Sequence, residues 1–171
     1  MHGDTSTTRS KPVEGVGGLC LKYGVRSYAD VTATLGGMEV AGDRWGMDVV
    51  SGGLRKCMGG PPGSAPITIS DRAAQHIMAG RHVEAGIRGV NTQDGARPRT
   101  PSNYFDFAMV MVYWSEDRLN HHTEATTMLF GARAADCIML EEGLQAPFAR
   151  HKSAGQATVA GARALGLQAF G

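Results

Sequence analysis

The stretch Val25-Arg26-Ser27-Tyr28-Ala29-Asp30-Val31-Thr32 reads as a β-strand. It is rich in β-branched and aromatic residues, with Gly24 before it and Gly36-Gly37 soon after it. Asp30 stands where that strand runs out. A second apolar run, Met47-Asp48-Val49-Val50-Ser51, is closed by Gly52-Gly53 and leads into Leu54-Arg55-Lys56-Cys57-Met58-Gly59-Gly60. A third, Ala65-Pro66-Ile67-Thr68-Ile69-Ser70, follows another turn-rich segment. Helical patterns lie around these runs. Residues 16–23 read as the end of a short helix, and residues 71–80 as a helix with Ser70 or Asp71 at its N-cap. Residues 123–142 place Met128, Leu129, Ala132, Ala135 and Met139 along a helix stopped by Gly143. Residues 145–165 carry Pro147 in a first turn, where proline is tolerated, and Gly166 after the end. Residues 104–114 fit helix or strand by periodicity, and residues 86–103 read as a loop. Short strands separated by helices and glycine turns predict an α/β layer with a mixed, mostly parallel sheet. Ligands of such sheets gather beyond the carboxyl ends of the strands.

Composition narrows the class. Lys and Arg number 17 against 16 Asp and Glu, for a formal charge of +1. That balance argues against a nucleic-acid surface and a polybasic membrane patch. The longest apolar run, residues 107–114, is far short of the ~20 residues that cross a bilayer. The N-terminal Met1-His2-Gly3-Asp4-Thr5-Ser6 is polar and lacks a signal peptide's apolar centre. Cys20, Cys57 and Cys137 are odd in number and far apart. They read as reduced, largely buried thiols of a cytoplasmic protein. The 24 glycines among 171 residues have no strict period, which excludes collagen and points to turns and close backbone approach. By length alone the chain is one small domain.

Two strand ends carry chemistry. If the runs ending at Asp30 and Ser51 are neighbours, a carboxylate and the Lys56 amine emerge at one edge of the sheet. A desolvated lysine loses its proton readily and attacks carbonyl carbon. A carboxylate nearby can keep a pyridine nitrogen protonated, so that the ring accepts electrons. On spacing alone the alternative stays open that Asp30 caps a turn and Lys56 is a solvated loop residue.

Three blocks extend the pattern: Asp30-Val31-Thr32-Ala33-Thr34-Leu35-Gly36-Gly37-Met38, Asp43-Arg44-Trp45-Gly46-Met47-Asp48, and Ser51-Gly52-Gly53-Leu54-Arg55-Lys56-Cys57. Together they resemble the class V, fold-type I aminotransferases that use pyridoxal phosphate (PLP), in their alanine/serine–glyoxylate branch. The blocks Ser102-Asn103-Tyr104-Phe105-Asp106 and Leu119-Asn120-His121-His122-Thr123-Glu124-Ala125-Thr126 are most similar to the ureidoglycine–glyoxylate aminotransferases of purine breakdown. The resemblance covers essentially the whole chain.

It implies that Lys56 holds the cofactor covalently and later moves a proton between substrate and cofactor carbons. It implies Asp30 as partner of the pyridine nitrogen, Thr32 on the ring face, and Thr5 at the ring substituents. His121, His122 and Thr123 resemble the segment that reaches into a neighbouring subunit, with Thr123 on the phosphate. Asn120 takes a position held by Tyr in many alanine–glyoxylate enzymes, where its amide could bind a ureido group. The residue before the lysine is commonly Gln in this family. Here it is Arg55, which keeps donors, adds charge and loses an acceptor, so it either binds the phosphate or disturbs the site. From the residues alone, Thr123 could equally be a helix N-cap and the two histidines ordinary neighbours before a helix. Adjacent histidines cannot both face one metal from a helix, so no metal is expected.

Family members are well over twice this length. The resemblance therefore implies a central fragment: residues 1–143 the later part of the large PLP-binding domain, residues 144–171 the start of a small C-terminal domain. It implies an intact enzyme that is a homodimer moving an amino group from (S)-ureidoglycine or a small amino acid to glyoxylate. For the isolated chain the expectation is inactivity, and the alternatives are a non-catalytic truncated remnant that retains the fold segment or an alanine/serine–glyoxylate aminotransferase.

Overall fold

The structure is a computed structural model and describes residues 1–81 and 100–168. The loop expected at 86–103 lies almost wholly outside the described residues. Two units are distinguished: Met1–Thr68 with Ala125–Gly171, and Ile69–Glu124.

In the first unit, β1 (Gly3–Asp4) and β2 (Arg9–Ser10) form a small antiparallel hairpin. Helix α1 spans Val16–Lys22. Three short strands follow, β3 (Tyr28–Asp30), β4 (Val49–Ser51) and β5 (Ile67–Ile69), in the sheet order β3-β4-β5. β3 and β4 are parallel, with Asp30 opposite Ser51. The α/β class and the parallel pairing expected from the sequence are thus present.

The first strand is shorter than the eight residues its composition suggests, because both of its ends are used by other bonds. Val25 N–H donates to Cys20 O (3.0 Å) and Gly24 N–H to Leu21 O (3.1 Å), with Gly24 at φ 68°. That pair of bonds closes α1 in a Schellman motif and takes Val25 out of the ladder. Beyond Asp30, Val31 still donates to Ser51 O at 2.8 Å, but Thr34 and Leu35 then donate back to Val31 O. The chain coils into a tight turn there.

Beside the sheet lies the core: Ala29, Val31, Trp45, Met47 and Val50, with Val13, Leu35, Val40 and Ala41 packed against them. Val31 is 1% exposed, a burial that contributes about 1.5–3 kcal/mol. Asp48, 2% exposed, clamps the start of β3. Its carboxylate accepts from Ser27 N–H (2.8 Å), while its own N–H donates to Ser27 Oγ (2.9 Å). A buried carboxylate is tolerable because it is bonded on this scale.

Helix α4 spans Thr126–Glu142 and α5 spans Gln145–Ala164. Pro147 is buried in the first turn of α5, and Gly166 (φ 81°) follows its end, where Leu167 N–H donates to Ala162 O. α4 starts three residues later than the pattern suggests. Its N-cap is Ala125, with no side-chain cap bond, so the reading of Thr123 as N-cap is wrong. The stripe along α4 is only partly inward: Ala135 and Met139 are buried, whereas Leu129 is exposed.

In the second unit, α2 (Asp71–Met78) is capped by Ser70, whose Oγ accepts from Ala73 N–H at 3.2 Å. That settles the choice between Ser70 and Asp71. The ambiguous run at 104–114 contains a helix, α3 (Phe107–Tyr113), started by Asp106 accepting from Ala108 N–H at 2.9 Å. All three cysteines are free, but Cys137 is exposed, against the expectation of largely buried thiols. It sits on the outward side of α4, two residues past the buried Ala135. Among the described residues, no helix is long and apolar enough to cross a membrane.

Candidate functional site

The end of β3 and the loop after β4 are built to meet. The parallel register sets Asp30 opposite Ser51, so the chain leaves both strands at the same edge. Asp30 Oδ1 accepts from Thr32 N–H at 2.8 Å, which folds the chain back over the carboxylate. Thr32 Oγ1 in turn accepts from Gly53 N–H at 3.0 Å and joins the two exit loops. Further along, Cys57 Sγ donates to Ala33 O at 3.6 Å, and burial pushes its thiol above the ordinary value. Gly36 lies so close to Met58 that a Cβ there would stand 2.8 Å from its sulfur and 3.1 Å from its backbone nitrogen. Gly36 also holds φ 82°, so the position needs glycine on both counts.

The N-terminus closes on the same place. His2 N–H donates to Asp30 O at 2.8 Å. Its ring, 3% exposed, bonds Thr34 Oγ1 through Nδ1 at 2.9 Å and sets its edge on Trp45. Burial holds the imidazole below its usual pKa, with Glu14 partly offsetting and the N-terminal charge adding to the depression. The sequence reading assigns His2 no role; its burial is legible only once Trp45 and Thr34 are placed around it. Asp48 was missed for the same reason.

Five of the expected residues therefore lie on the first unit. Asp30 and Thr32 are half-buried at the strand end; Arg55 and Lys56 are exposed in the loop after β4; Thr5 is exposed in the turn between β1 and β2. Thr5 also borders a groove of about 700 Å³ with Thr8, Arg9, Thr34 and Lys152. Two further grooves of this unit, of about 410 and 470 Å³, have other linings, and Asp30, Thr32 and Lys56 line none of the three. Asn120, His122 and Thr123 belong to the second unit, with Asn120 and Thr123 exposed and His122 half-buried. There, His122 Nε2 lies 3.0 Å from Glu124 Oε1, and its Nδ1 is 2.7 Å from His121 Nδ1. No group of three or more His, Cys, Asp or Glu residues placed to hold a metal occurs among the described residues.

The donor set at the strand ends fits PLP. It offers a carboxylate for a pyridinium nitrogen, a solvent-reachable primary amine for an aldehyde, and a threonine between them whose methyl face can pack on a ring. Asp30 and Thr32 are fixed by bonds from backbone N–H groups, Thr32 N–H to Asp30 Oδ1 and Gly53 N–H to Thr32 Oγ1.

No protein-family model matches the chain. The (S)-ureidoglycine–glyoxylate transaminase of Bacillus subtilis is 46% identical over 177 residues, covering 100% of this chain and 42% of that protein. The crystal structure of ureidoglycine–glyoxylate aminotransferase from Bacillus subtilis superposes with a TM-score of 0.85 at 44% identity, over 99% of this chain and 40% of that one. The alanine–glyoxylate aminotransferase structure from Nostoc sp. gives a TM-score of 0.82 at 29% identity, over 98% and 40%. The chain has the α/β fold of the fold-type I aminotransferases and is homologous to a segment of these enzymes. It spans about two fifths of the length of the curated relatives it matches.

Proposed function

We propose that this chain carries the lysine-bearing part of a PLP-dependent aminotransferase with glyoxylate as amino acceptor. Its donor is (S)-ureidoglycine or a small amino acid, and its setting the breakdown of purines and ureides. One observation carries the reading. Asp30 and Lys56 leave two register-matched parallel strands at a single edge, within a chain 46% identical to a transaminase of that name.

When bound, the cofactor supplies an aldehyde and a ring that accepts an electron pair. Lys56 would hold the cofactor through its side-chain amine and would serve as the base that carries a proton from the substrate carbon. Asp30 would hold the pyridine nitrogen and keep it protonated, and its Oδ1 bond from Thr32 N–H restrains the carboxylate. Thr32 would hold the ring face and Thr5 its substituents. Arg55, exposed beside Lys56, reaches for the phosphate together with His122 and Thr123 of a second subunit in a homodimer. Asn120 offers both a donor and an acceptor to a ureido group. The same reading divides the chain into large-domain residues 1–143 and small-domain residues 144–171. It puts the protein in the cytoplasm, where three free cysteines, one exposed, persist reduced.

Mixing the purified chain with PLP tests the reading. The expected result is visible absorbance distinct from free PLP, and, after borohydride, one added mass on Lys56 that Lys56→Ala abolishes. No absorbance, or label spread over Lys11, Lys22 and Lys152, rejects it for this chain.

A further inference from the structure

His2 stands immediately before β1 and is anchored on three sides. Its backbone N–H donates to Asp30 O at 2.8 Å, on the last residue of β3, and its carbonyl accepts from Lys11 N–H at 2.8 Å. Its ring sets an edge on Trp45 and meets Thr34 Oγ1 through Nδ1 at 2.9 Å. The direction of that bond follows from the threonine. Its hydroxyl owns one proton and gives it to Val31 O at 3.2 Å, so it accepts from His2 Nδ1–H. A buried ring bonded in this way avoids the cost of an unpaired polar group. Packing alone would be served as well by leucine.

We propose that His2 is a positioning residue for Asp30 and Thr5: its backbone holds the end of β3, its ring holds the turn that folds over the Asp30 carboxylate, and it leads through β1 to Thr5. Val31 O is the hub of that turn. It accepts from Thr34 N–H (2.9 Å) and Leu35 N–H (2.8 Å) as well as from the Thr34 hydroxyl. The turn encloses Thr32, whose N–H bonds Asp30 Oδ1 and whose Oγ1 accepts from Gly53 N–H. His2 thus grips both ends of the segment 30–34, at Asp30 O and at Thr34 Oγ1. The N-terminal hairpin presses on the same turn: a Cβ on Gly3 would stand 2.7 Å from Thr34 Cγ2 and 3.0 Å from Ala33 Cβ.

The consequence is that two residues far apart in sequence keep a fixed relation. Thr5 lies in the turn directly after β1, so what seats His2 also seats Thr5. This deepens the aminotransferase reading and rests on it for its functional meaning, but its physical content needs no cofactor. The choice of side chain is specific. An asparagine amide stands about where Nδ1 stands and can donate to Thr34 Oγ1, whereas leucine fills the space and donates nothing.

Amide hydrogen exchange of the full chain, followed residue by residue by NMR, tests the proposal without PLP. The N–H groups of Thr32 and Gly53 report the two bonds that fix Asp30 and the Lys56 loop. In His2→Leu both are expected to exchange about tenfold faster, while amides in the middle of α4 change by less than about twofold, and His2→Asn restores the wild-type rates. Thr34→Val removes the acceptor and leaves His2 in place; it should give the same pattern, and it decides the matter where the leucine variant does not fold. Unchanged Thr32 and Gly53 rates overturn the inference. So does an equal acceleration of all amides, which is what a residue that only stabilises the core would give, and so does a failure of His2→Asn to restore the rates. Failure of Lys56 to take the borohydride label would reject the aminotransferase reading and leave this result standing.

Discussion

Thr32 Oγ1 accepts the backbone N–H of Gly53 at 3.0 Å, and this one bond joins the loop that follows Asp30 to the loop that carries Lys56. The residues are 21 apart in sequence and come together because β3 and β4 run parallel in register. Thr32 also lends its N–H to Asp30 Oδ1, so a single residue organises both the carboxylate and the lysine loop.

Replacing Thr32 by Val keeps the shape and removes the acceptor, leaving a part-buried N–H on Gly53 without it. The expected loss is about 1–2 kcal/mol, read as a lower urea midpoint, with Thr32→Ser close to wild type. An unchanged midpoint in the valine variant would mean that water replaces the hydroxyl.

Gly17 offers a prediction of opposite sign from helix propensity. In an isolated helix Gly→Ala gains about 1 kcal/mol. Here α1 lies so close to the next segment that a Cβ at residue 17 would stand 2.2 Å from Trp45 O and 2.3 Å from Gly46 O. Those are backbone atoms and cannot swing aside. Gly17→Ala is expected to destabilise by about 1–3 kcal/mol in denaturant unfolding; a gain would show that α1 does not dock there.

Thr8, in the turn between β1 and β2, holds φ 57°, a left-handed conformation that a β-branched residue adopts only under strain. Its hydroxyl donates to the adjacent Thr7 O, a contact that restrains little else. Thr8→Gly should stabilise the chain by about 1 kcal/mol or less after glycine's own entropy cost. A drop in melting temperature would count against the strain.

His2 links stability to pH. Unfolded, its ring titrates near the ordinary value of about 6.5; folded, burial depresses that value. Between the two values the unfolded chain binds a proton that the folded chain does not, so folding weakens as pH falls through this window. The contribution is intact above about pH 6.5 and is lost progressively below it. Comparing unfolding at pH about 7.5 and about 5, the wild-type chain should lose more stability than His2→Gln; equal losses would remove His2 as the source.

The sequence carried much of the fold because strand and helix signals are local. Val49–Ser51 lies inside an apolar run bounded by glycines, and Pro147 and Gly166 mark the ends of α5 as their backbone preferences require. Where local reading failed, a competing bond had taken the residue. Val25 has a strand-former's side chain, but its N–H is used by the cap of α1. Thr123 has a capping side chain, but the helix begins beyond it at Thr126, while His122 and Glu124 hold each other instead. Both outcomes depend on partners that periodicity does not reveal.

The candidate site divides the same way. Asp30, Lys56 and their glycine-rich surroundings are residue types at chain positions, and the sequence alone determined them, because a turn after an apolar run is written in composition. Which strands are neighbours was decided by the tertiary structure. So were the burial of His2 under Trp45 and the clamp of Asp48 on Ser27. Each of these is a contact between groups whose meeting depends on how the chain packs, and burial and bond geometry, rather than residue type, set their energies.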